Sequence, residues 1–104
     1  MNCEELWRKI ILHLKQGNFE FKTLDRGLWF NASSNAGVIF IDKAIANVPS
    51  CAITITRKIT EKDFLFVCSY YPRWAAGEVG LRHEVSRGSR NTAYIFALIE
   101  ETID

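Results

Sequence analysis

The first part of the chain has apolar residues at helical spacing. Residues 2–16 are predicted to form an amphipathic helix, because their apolar positions recur every three or four residues. Asn2 is a favourable N-cap, and Glu5 stands three positions later as its partner in a capping box. Gly17 can adopt the left-handed conformation that ends a helix. The face expected to be buried consists of Cys3, Leu6, Trp7, Ile10, Ile11 and Leu14.

Short alternating runs follow this helix. Residues 18–32 predict a β-hairpin, because apolar and charged positions alternate on either side of a turn-forming sequence at 25–27. A second turn is expected at 33–37, leading into a strand at 38–41. Residues 42–47 are consistent with either one helical turn or a loop.

Two further strands are predicted from alternation and composition. Residues 51–59 alternate and are rich in β-branched side chains, and residues 64–71 are rich in aromatic and β-branched ones. Residues 72–89 are then expected to form a long loop, with a short strand at 80–86 as an alternative.

The closing segment is strongly apolar and predicts a helix at 90–103, capped by Ser89 or Asn91. A helix, four or five strands and a helix, in that order, define an α+β fold in a single domain, 1–104. Because the connections are short, we expect a mainly antiparallel sheet. Both helices are expected to pack on one face of that sheet.

The composition supports a hydrophobic core and gives no global attraction to polyanions. The 104 residues are 48% hydrophobic and carry a net charge of +1, so a polyanion would need a local basic patch. The longest apolar run, 93–99, is far shorter than the roughly 20 residues that span a bilayer. Acidic residues stand near the N-terminus, where a signal peptide would carry basic ones. These features predict a cytoplasmic protein without membrane contact.

Metal-binding and catalytic patterns are not visible in the sequence. The cysteines at 3, 51 and 68 form no C-x-x-C pair, and we interpret them as small buried thiols, with a redox or nucleophilic role as the alternative. His13 and His83 have no metal-ligand spacing. Neither a metal, a cofactor nor a catalytic centre is therefore predicted.

The candidate site is the segment 72–92, where basic residues lie beside three glycines just before the last helix. A helix N-terminus favours anions, Gly88 would permit a close approach to the backbone, and arginines supply planar donors for phosphate or carboxylate. The residues predicted to bind are Arg73, Trp74, Arg82, His83, Arg87, Ser89 and Arg90.

Plain helix capping is the alternative explanation of this segment. Ser89 or Asn91 would accept an early backbone N–H, and the arginines would be solvated or paired with Glu84. Capping does not explain three arginines before a helix, because the macrodipole disfavours cations at that end.

Aromatic residues beside the basic segment are typical of a base-stacking surface. Tyr70, Tyr71 and Trp74 flank Arg73, and Trp29 lies in a predicted strand with Phe30. Trp74 is the one expected to be exposed. The alternative is that these rings belong to the core.

These observations predict a non-catalytic binding module for an anionic partner, with nucleic acid as the first candidate. The alternative is a protein-interaction or homo-oligomeric domain, in which the arginines pair with an acidic protein or a second copy. A bare sheet edge around Thr54, Thr56 and Thr60 would then support a homodimer. The third interpretation is a small-ligand binder or an enzyme with His83 and Glu84 in a pocket.

Overall fold

The computed structural model describes residues 1–103. These residues form five helices and four strands, in an order that begins and ends with a helix. The elements are α1 (Cys3–Leu14), β1 (Phe19–Lys22), β2 (Trp29–Asn35), β3 (Val38–Lys43), β4 (Arg57–Ile59), α2 (Glu61–Cys68), α3 (Tyr71–Ala75), α4 (Leu81–Ser86) and α5 (Thr92–Thr102).

The four strands form one antiparallel sheet in the order β1-β2-β3-β4. Phe30, Ala32 and Ser34 alternate along β2 and therefore share one face of the sheet. The Phe30 ring contacts Tyr94 of α5, and Ser34 donates a hydrogen bond to the Ile11 carbonyl of α1. Both terminal helices thus pack on the same face, and the predicted α+β fold is confirmed.

The first helix begins as the sequence predicts. The Asn2 side chain accepts a hydrogen bond of 3.1 Å from the Glu5 backbone N–H. Leu6, Trp7, Ile10 and Leu14 are buried, as the apolar stripe predicts. The first turn of the hairpin is also confirmed, whereas the second is shorter than expected because β2 continues to Asn35.

The strand predicted at 64–71 is wrong, because residues 61–68 form α2. Thr60 caps this helix by accepting a hydrogen bond from the Asp63 N–H. Phe64, Val67 and Cys68 are buried at a spacing of three and one, which is helical. The composition of the segment favours a strand, but the N-cap at Thr60 and the helical spacing of the buried residues determine a helix. The strand predicted at 51–59 survives only at its end, as β4.

The long loop predicted at 72–89 is also wrong. It contains most of α3 and all of α4, and the alternative strand at 80–86 is part of this helical region. Pro72 lies in the first turn of α3, where its missing N–H costs nothing. Leu81 and Val85 are buried four residues apart on α4. The segment therefore packs on the core instead of forming an exposed loop.

A disulfide between Cys3 and Cys68 ties the start of α1 to the end of α2. The interpretation of all three cysteines as free thiols was therefore wrong for this pair. Cys51 is free and buried, as predicted. Within residues 1–103, no helix has the length and apolar character needed to cross a membrane.

Candidate functional site

The connection between α4 and α5 places two arginines at the surface. Arg87 and Arg90 are exposed, whereas Ser89 between them is buried. The Ser89 hydroxyl accepts a hydrogen bond of 3.1 Å from the Asn91 N–H, and its carbonyl accepts one of 3.2 Å from the Thr92 hydroxyl. Ser89 therefore organises the turn before α5.

The space above Gly88 is filled by an aromatic ring. A Cβ atom added at Gly88 would lie 2.5 Å from the ring of Phe66 on α2. The close approach that we expected a ligand to make is therefore made by the protein itself. Gly88 lets the α4–α5 turn pack against α2.

Asn91 joins three elements at the start of α5. Its Nδ2 donates to the Lys58 carbonyl of β4 at 3.3 Å and to the Asp63 carboxylate of α2 at 2.9 Å. The Asn91 side chain is nine-tenths buried, and its Oδ1 has no hydrogen-bond partner among the described residues. The Lys58 carbonyl, at the centre of the edge strand β4, is therefore occupied by a side chain of the same protein.

A surface groove of about 420 Å³ lies beside this junction. We call it the basic groove. Residues 52–58, Arg90 and Asn91 line it. Arg57, Lys58 and Arg90 give it three positive charges, and the described lining residues include no carboxylate. Two carboxylates contact its lining side chains: Asp63 accepts a hydrogen bond from Asn91, and Asp42 accepts one from Thr56.

Arg57 has a fixed position in the basic groove. Its Nη1 donates to the Arg90 carbonyl at 3.3 Å, and its guanidinium lies 5.7 Å from the centre of the Tyr94 ring. These contacts order one side chain of the groove before any ligand arrives, which lowers the entropic cost of binding.

A second groove of about 830 Å³ adjoins the basic groove. We call it the polar groove, and it shares residues 52–54 and 56 with the basic groove. Its other lining residues are Asn18, Asn31, Asp42, Lys43, Ile45 and Cys51. The Asp42 carboxylate accepts a hydrogen bond from the Thr56 hydroxyl. Asn31 is buried, and its Nδ2 lies 3.4 Å from the Asn18 Oδ1.

Glu20 anchors the chain segment that leads into the two grooves. Its carboxylate accepts hydrogen bonds from the backbone N–H groups of Ile45, Ala46 and Asn47 at 2.6, 3.0 and 2.9 Å. The Ala46 and then the Ile45 N–H contribute most to lowering the pKa of Glu20 to about 2. The carboxylate therefore holds residues 45–47 in place while it is ionised.

Two of the predicted binding arginines form surface ion pairs with acidic residues of the same chain. Arg73 forms two hydrogen bonds with Glu78, at 3.0 and 2.5 Å, and this contact raises the pKa of Arg73 and lowers that of Glu78. Arg82 lies 3.3 Å from the Asp25 carboxylate, with its guanidinium 5.7 Å from the centre of the Phe96 ring. Neither arginine lines the basic groove.

The expectation that Trp74 is exposed was wrong. Its ring is half-buried and stacks on Phe96 at 4.8 Å between centroids. Tyr71 is buried beside it and donates a hydrogen bond to Glu100; burial, followed by this bond, raises the pKa of Tyr71 to about 12. These rings belong to the packing between α3 and α5.

His83 and Glu84 are both exposed on α4 and line neither groove. They do not form the pocket that the third interpretation requires. In the part of the chain that the structure describes, no three or more His, Cys, Asp or Glu residues cluster as metal ligands would.

Sequence reasoning missed Arg57 and Lys58 as partners of Arg90. They were visible as adjacent basic residues after an alternating segment, but their meeting with residue 90 depends on the path of the chain. Comparisons with protein-family models, curated proteins and solved structures find no match to this chain.

Proposed function

We propose that this protein is a non-catalytic binding module that holds an anionic macromolecule, nucleic acid, in the basic groove. One observation carries the proposal: Arg57, Lys58 and Arg90 come from two distant parts of the chain and line one groove, with no carboxylate among the described lining residues. The whole chain carries a net charge of only +1, and these three cations form a local cationic patch on it.

The position of the groove at the start of α5 adds to this attraction. Asn91, the N-cap of α5, lines the groove. The first backbone N–H groups of a helix and its macrodipole favour negative charge. Arginine guanidinium groups supply the planar, always-charged donors that suit phosphate oxygens.

The proposed site combines residues of β4 with the start of α5, whereas the sequence predicted the segment 72–92. Arg90 is kept from the original set, and Arg87 remains an exposed cation three residues before it. Arg73, Arg82 and Trp74 are left out because their side chains are engaged by Glu78, by Asp25 and by Phe96. His83 stays exposed on α4, outside the groove.

The test is an anisotropy titration with labelled single- and double-stranded oligonucleotides at several salt concentrations. We expect the logarithm of the affinity to fall linearly with that of the salt concentration, because phosphate contacts release counterions. Arg90→Ala should weaken binding and reduce the slope of that line by about 1.

Arg8→Ala is the matched control. Arg8 is exposed on α1 and lies outside both grooves, so its loss should leave the affinity and the slope unchanged. Absence of salt-sensitive binding would overturn the proposal, and so would an equal effect of the two substitutions.

A protein-interaction surface is the second candidate, supported by exposed apolar side chains. Ile45, Val48 and Ile55 are 87%, 82% and 79% exposed; Ile45 lines the polar groove and Ile55 the basic groove. Such side chains favour protein contact. If the partner is a second copy, light scattering should find a dimer that Ile45→Ser with Ile55→Ser converts to a monomer. A wild-type monomer at high concentration contradicts self-association.

A further inference from the structure

We propose that β1 is the contact strand of a homodimer, in which the β1 strands of two copies pair antiparallel about a two-fold axis and join the two sheets. This inference goes beyond the proposed function and does not depend on nucleic-acid binding. It rests on the unpaired backbone groups of β1 and on the register in which two copies of this strand match.

β1 is an edge strand with one open side. The sheet order is β1-β2-β3-β4, so β1 pairs with β2 alone. In the part of the chain that the structure describes, no backbone group of residues 19–22 forms a hydrogen bond with any other element. Such a row of free N–H and C=O groups is a template on which a further strand can pair.

The unpaired backbone groups belong to Glu20 and Lys22. Facing residues of an antiparallel pair alternate between hydrogen-bonded and non-hydrogen-bonded positions. The Trp29 N–H donates to the Pro49 carbonyl, and the Trp29 carbonyl accepts from the Cys51 N–H, both at 2.8 Å. Lys22 lies opposite Trp29, so its own N–H and carbonyl point away from β2. By the same alternation, those of Glu20 point outward as well.

These outward groups limit how two copies of β1 can pair, because an outward-pointing residue must face another one to form hydrogen bonds. Two such registers keep three residues of each strand paired. One of them puts Glu20 opposite Glu20 of the second copy, which is destabilising. The other puts Phe21 opposite Phe21 and each Glu20 opposite a Lys22. Each of these acid–base pairs then exchanges two backbone hydrogen bonds across the interface.

The charges of β1 select the register and the partner. Both side chains also have contacts in their own chain, since the Glu20 carboxylate accepts from residues 45–47 and the Lys22 Nζ lies 5.7 Å from the centre of the Trp29 ring. They therefore add little attraction of their own. A lysine on an edge strand opposes unspecific pairing, whereas a second copy offers it Glu20. This match favours a second copy over an unrelated strand.

Phe21 supplies an apolar contact at the centre of the pairing. It is half-buried, whereas Phe30, which faces it in β2, is fully buried. Phe21 lines a groove of about 300 Å³ together with residues of α1 and α5, so open space lies beside it. A non-hydrogen-bonded pair brings its two Cα atoms to about 4.5 Å. Pairing of two copies should therefore remove both Phe21 rings from water.

The experiment measures molecular mass against protein concentration by sedimentation equilibrium. We expect a concentration-dependent dimer, and we expect Lys22→Glu to weaken it about tenfold or more, since each Glu20 would then face a carboxylate. Lys62→Glu is the matched control, because Lys62 is exposed on α2 and its replacement makes the same change in charge. This control should leave the dissociation constant unchanged.

Lys22→Pro tests the backbone contribution. Proline lacks an N–H, and it is tolerated on an edge strand where that N–H faces solvent. The substitution should therefore remove an intermolecular hydrogen bond without removing one between β1 and β2, and the dimer should dissociate. Circular dichroism checks that the variant folds, and if it does not, Lys22→Glu still decides.

Cysteine cross-linking tests the register. Phe21→Cys should form a disulfide-linked dimer under mild oxidation, because the two positions lie opposite each other. Leu24→Cys is the control: Leu24 is 39% exposed, but its two copies lie at opposite ends of the paired strands and should not cross-link. If Phe21→Cys fails to fold, the mass measurements on the Lys22 variants decide.

A wild-type protein that stays monomeric up to about 1 mM overturns the inference. A dimer that persists in Lys22→Glu and in folded Lys22→Pro overturns it too, as does one that only Ile45→Ser with Ile55→Ser dissociates. Equal cross-linking of Leu24→Cys and Phe21→Cys contradicts the register. Each of these outcomes leaves the nucleic-acid proposal standing, because that proposal is decided by the salt-dependent titration.

Discussion

Glu20 shows how one side chain can order a segment that has no regular structure. Its carboxylate accepts from three consecutive backbone N–H groups and from the Asn47 side chain, whose Nδ2 lies 2.7 Å from Oε1. Unpaired N–H groups in a turn attract an anion. Here the anion is part of the protein, and it fixes the approach to the polar groove.

The first prediction concerns the protonation of Glu20. Its pKa is lowered from 4.5 to about 2, so its stabilising effect is complete above the ordinary value and is lost as the pH falls towards about 2. We expect Glu20→Gln to lower the hydrogen-exchange protection of Ile45, Ala46 and Asn47 at neutral pH. This difference from the wild type should shrink as the pH falls through about 2, where the carboxylate becomes protonated.

Glu101→Gln serves as the control, because Glu101 lies on α5 away from this turn. Its protection factors at 45–47 should match those of the wild type. Equal protection in Glu20→Gln and the wild type at neutral pH would show that the carboxylate does not hold the turn.

At Gly88, as at Glu20, the protein itself fills a position that a ligand could have taken: the Phe66 ring occupies the space above the glycine. The second prediction is that Gly88→Ala destabilises the protein by about 1–3 kcal/mol, because the new methyl group overlaps the Phe66 ring. Urea unfolding followed by circular dichroism measures this change. Phe66 is 37% exposed, so a partial outward movement of the ring favours the lower end of the range.

A double-mutant cycle separates this overlap from a general effect of the added methyl group. In a Phe66→Ala background, Gly88→Ala should cost clearly less, since no ring remains to be displaced. A cost that is equal in both backgrounds would mean that the ring is not the cause.

At the scale of elements, the disulfide connects two helices that are distant in sequence. Cys3 and Cys68 are separated by 65 residues, and cross-linking a loop of this length stabilises a protein by about 4 kcal/mol in the chain-entropy account. The disulfide joins the start of α1 to the end of α2, and the two helices also pack together through Trp7 and Phe64.

The third prediction is that reduction lowers the free energy of unfolding by about 2–5 kcal/mol. The Cys3→Ser, Cys68→Ser double variant should behave like the reduced protein in denaturant titrations, because both lack the cross-link. A reductant should not change the variant further, since Cys51 is its only remaining cysteine.

Thiol labelling of the unfolded protein checks the pairing directly. Without reductant, Cys51 alone should react, and after reduction all three cysteines should react. Reaction of three thiols before reduction would contradict the disulfide.

The helical region 61–86 marks the limit of prediction from local sequence. Terminal helices and the hairpin could be predicted, because their apolar periods are long and their caps are clear. In α2 the aromatic residues Phe64 and Phe66 favour a strand by composition, while Thr60 and the burial of Phe64 and Cys68 define a helix. Thr60, as a capping residue, was the signal for a helix that the sequence offered. The prediction of a strand relied instead on the aromatic and β-branched composition.

At the scale of the whole molecule, the candidate site depends on contacts between distant residues. Arg57 meets the Arg90 carbonyl, and Glu20 meets residues 45–47. No local sequence pattern indicates such contacts. The sequence therefore predicted Arg90 correctly as part of a basic region near α5, but it omitted Arg57 and Lys58 and included Arg73 and Arg82, which pair with Glu78 and Asp25. The packing of both terminal helices on one sheet face and the antiparallel direction of the strands could be predicted from the sequence. The basic groove could not be predicted.

The disulfide also bears on where the protein acts. Cysteine pairs are uncommon in a reducing cytosol and typical of oxidising compartments. The pairing of Cys3 with Cys68 therefore favours an oxidising environment, and the cytoplasmic location inferred from the N-terminal sequence stays a prediction.

The most direct measurement of the central claim is backbone amide chemical-shift mapping of the labelled protein during titration with a single-stranded oligonucleotide. The account predicts that the perturbed amides cluster at 52–58 and 90–91, the residues that line the basic groove, and that added salt reverses the changes. Perturbations centred on α1 or on the exposed face of α4, or no perturbation at low salt, would contradict it.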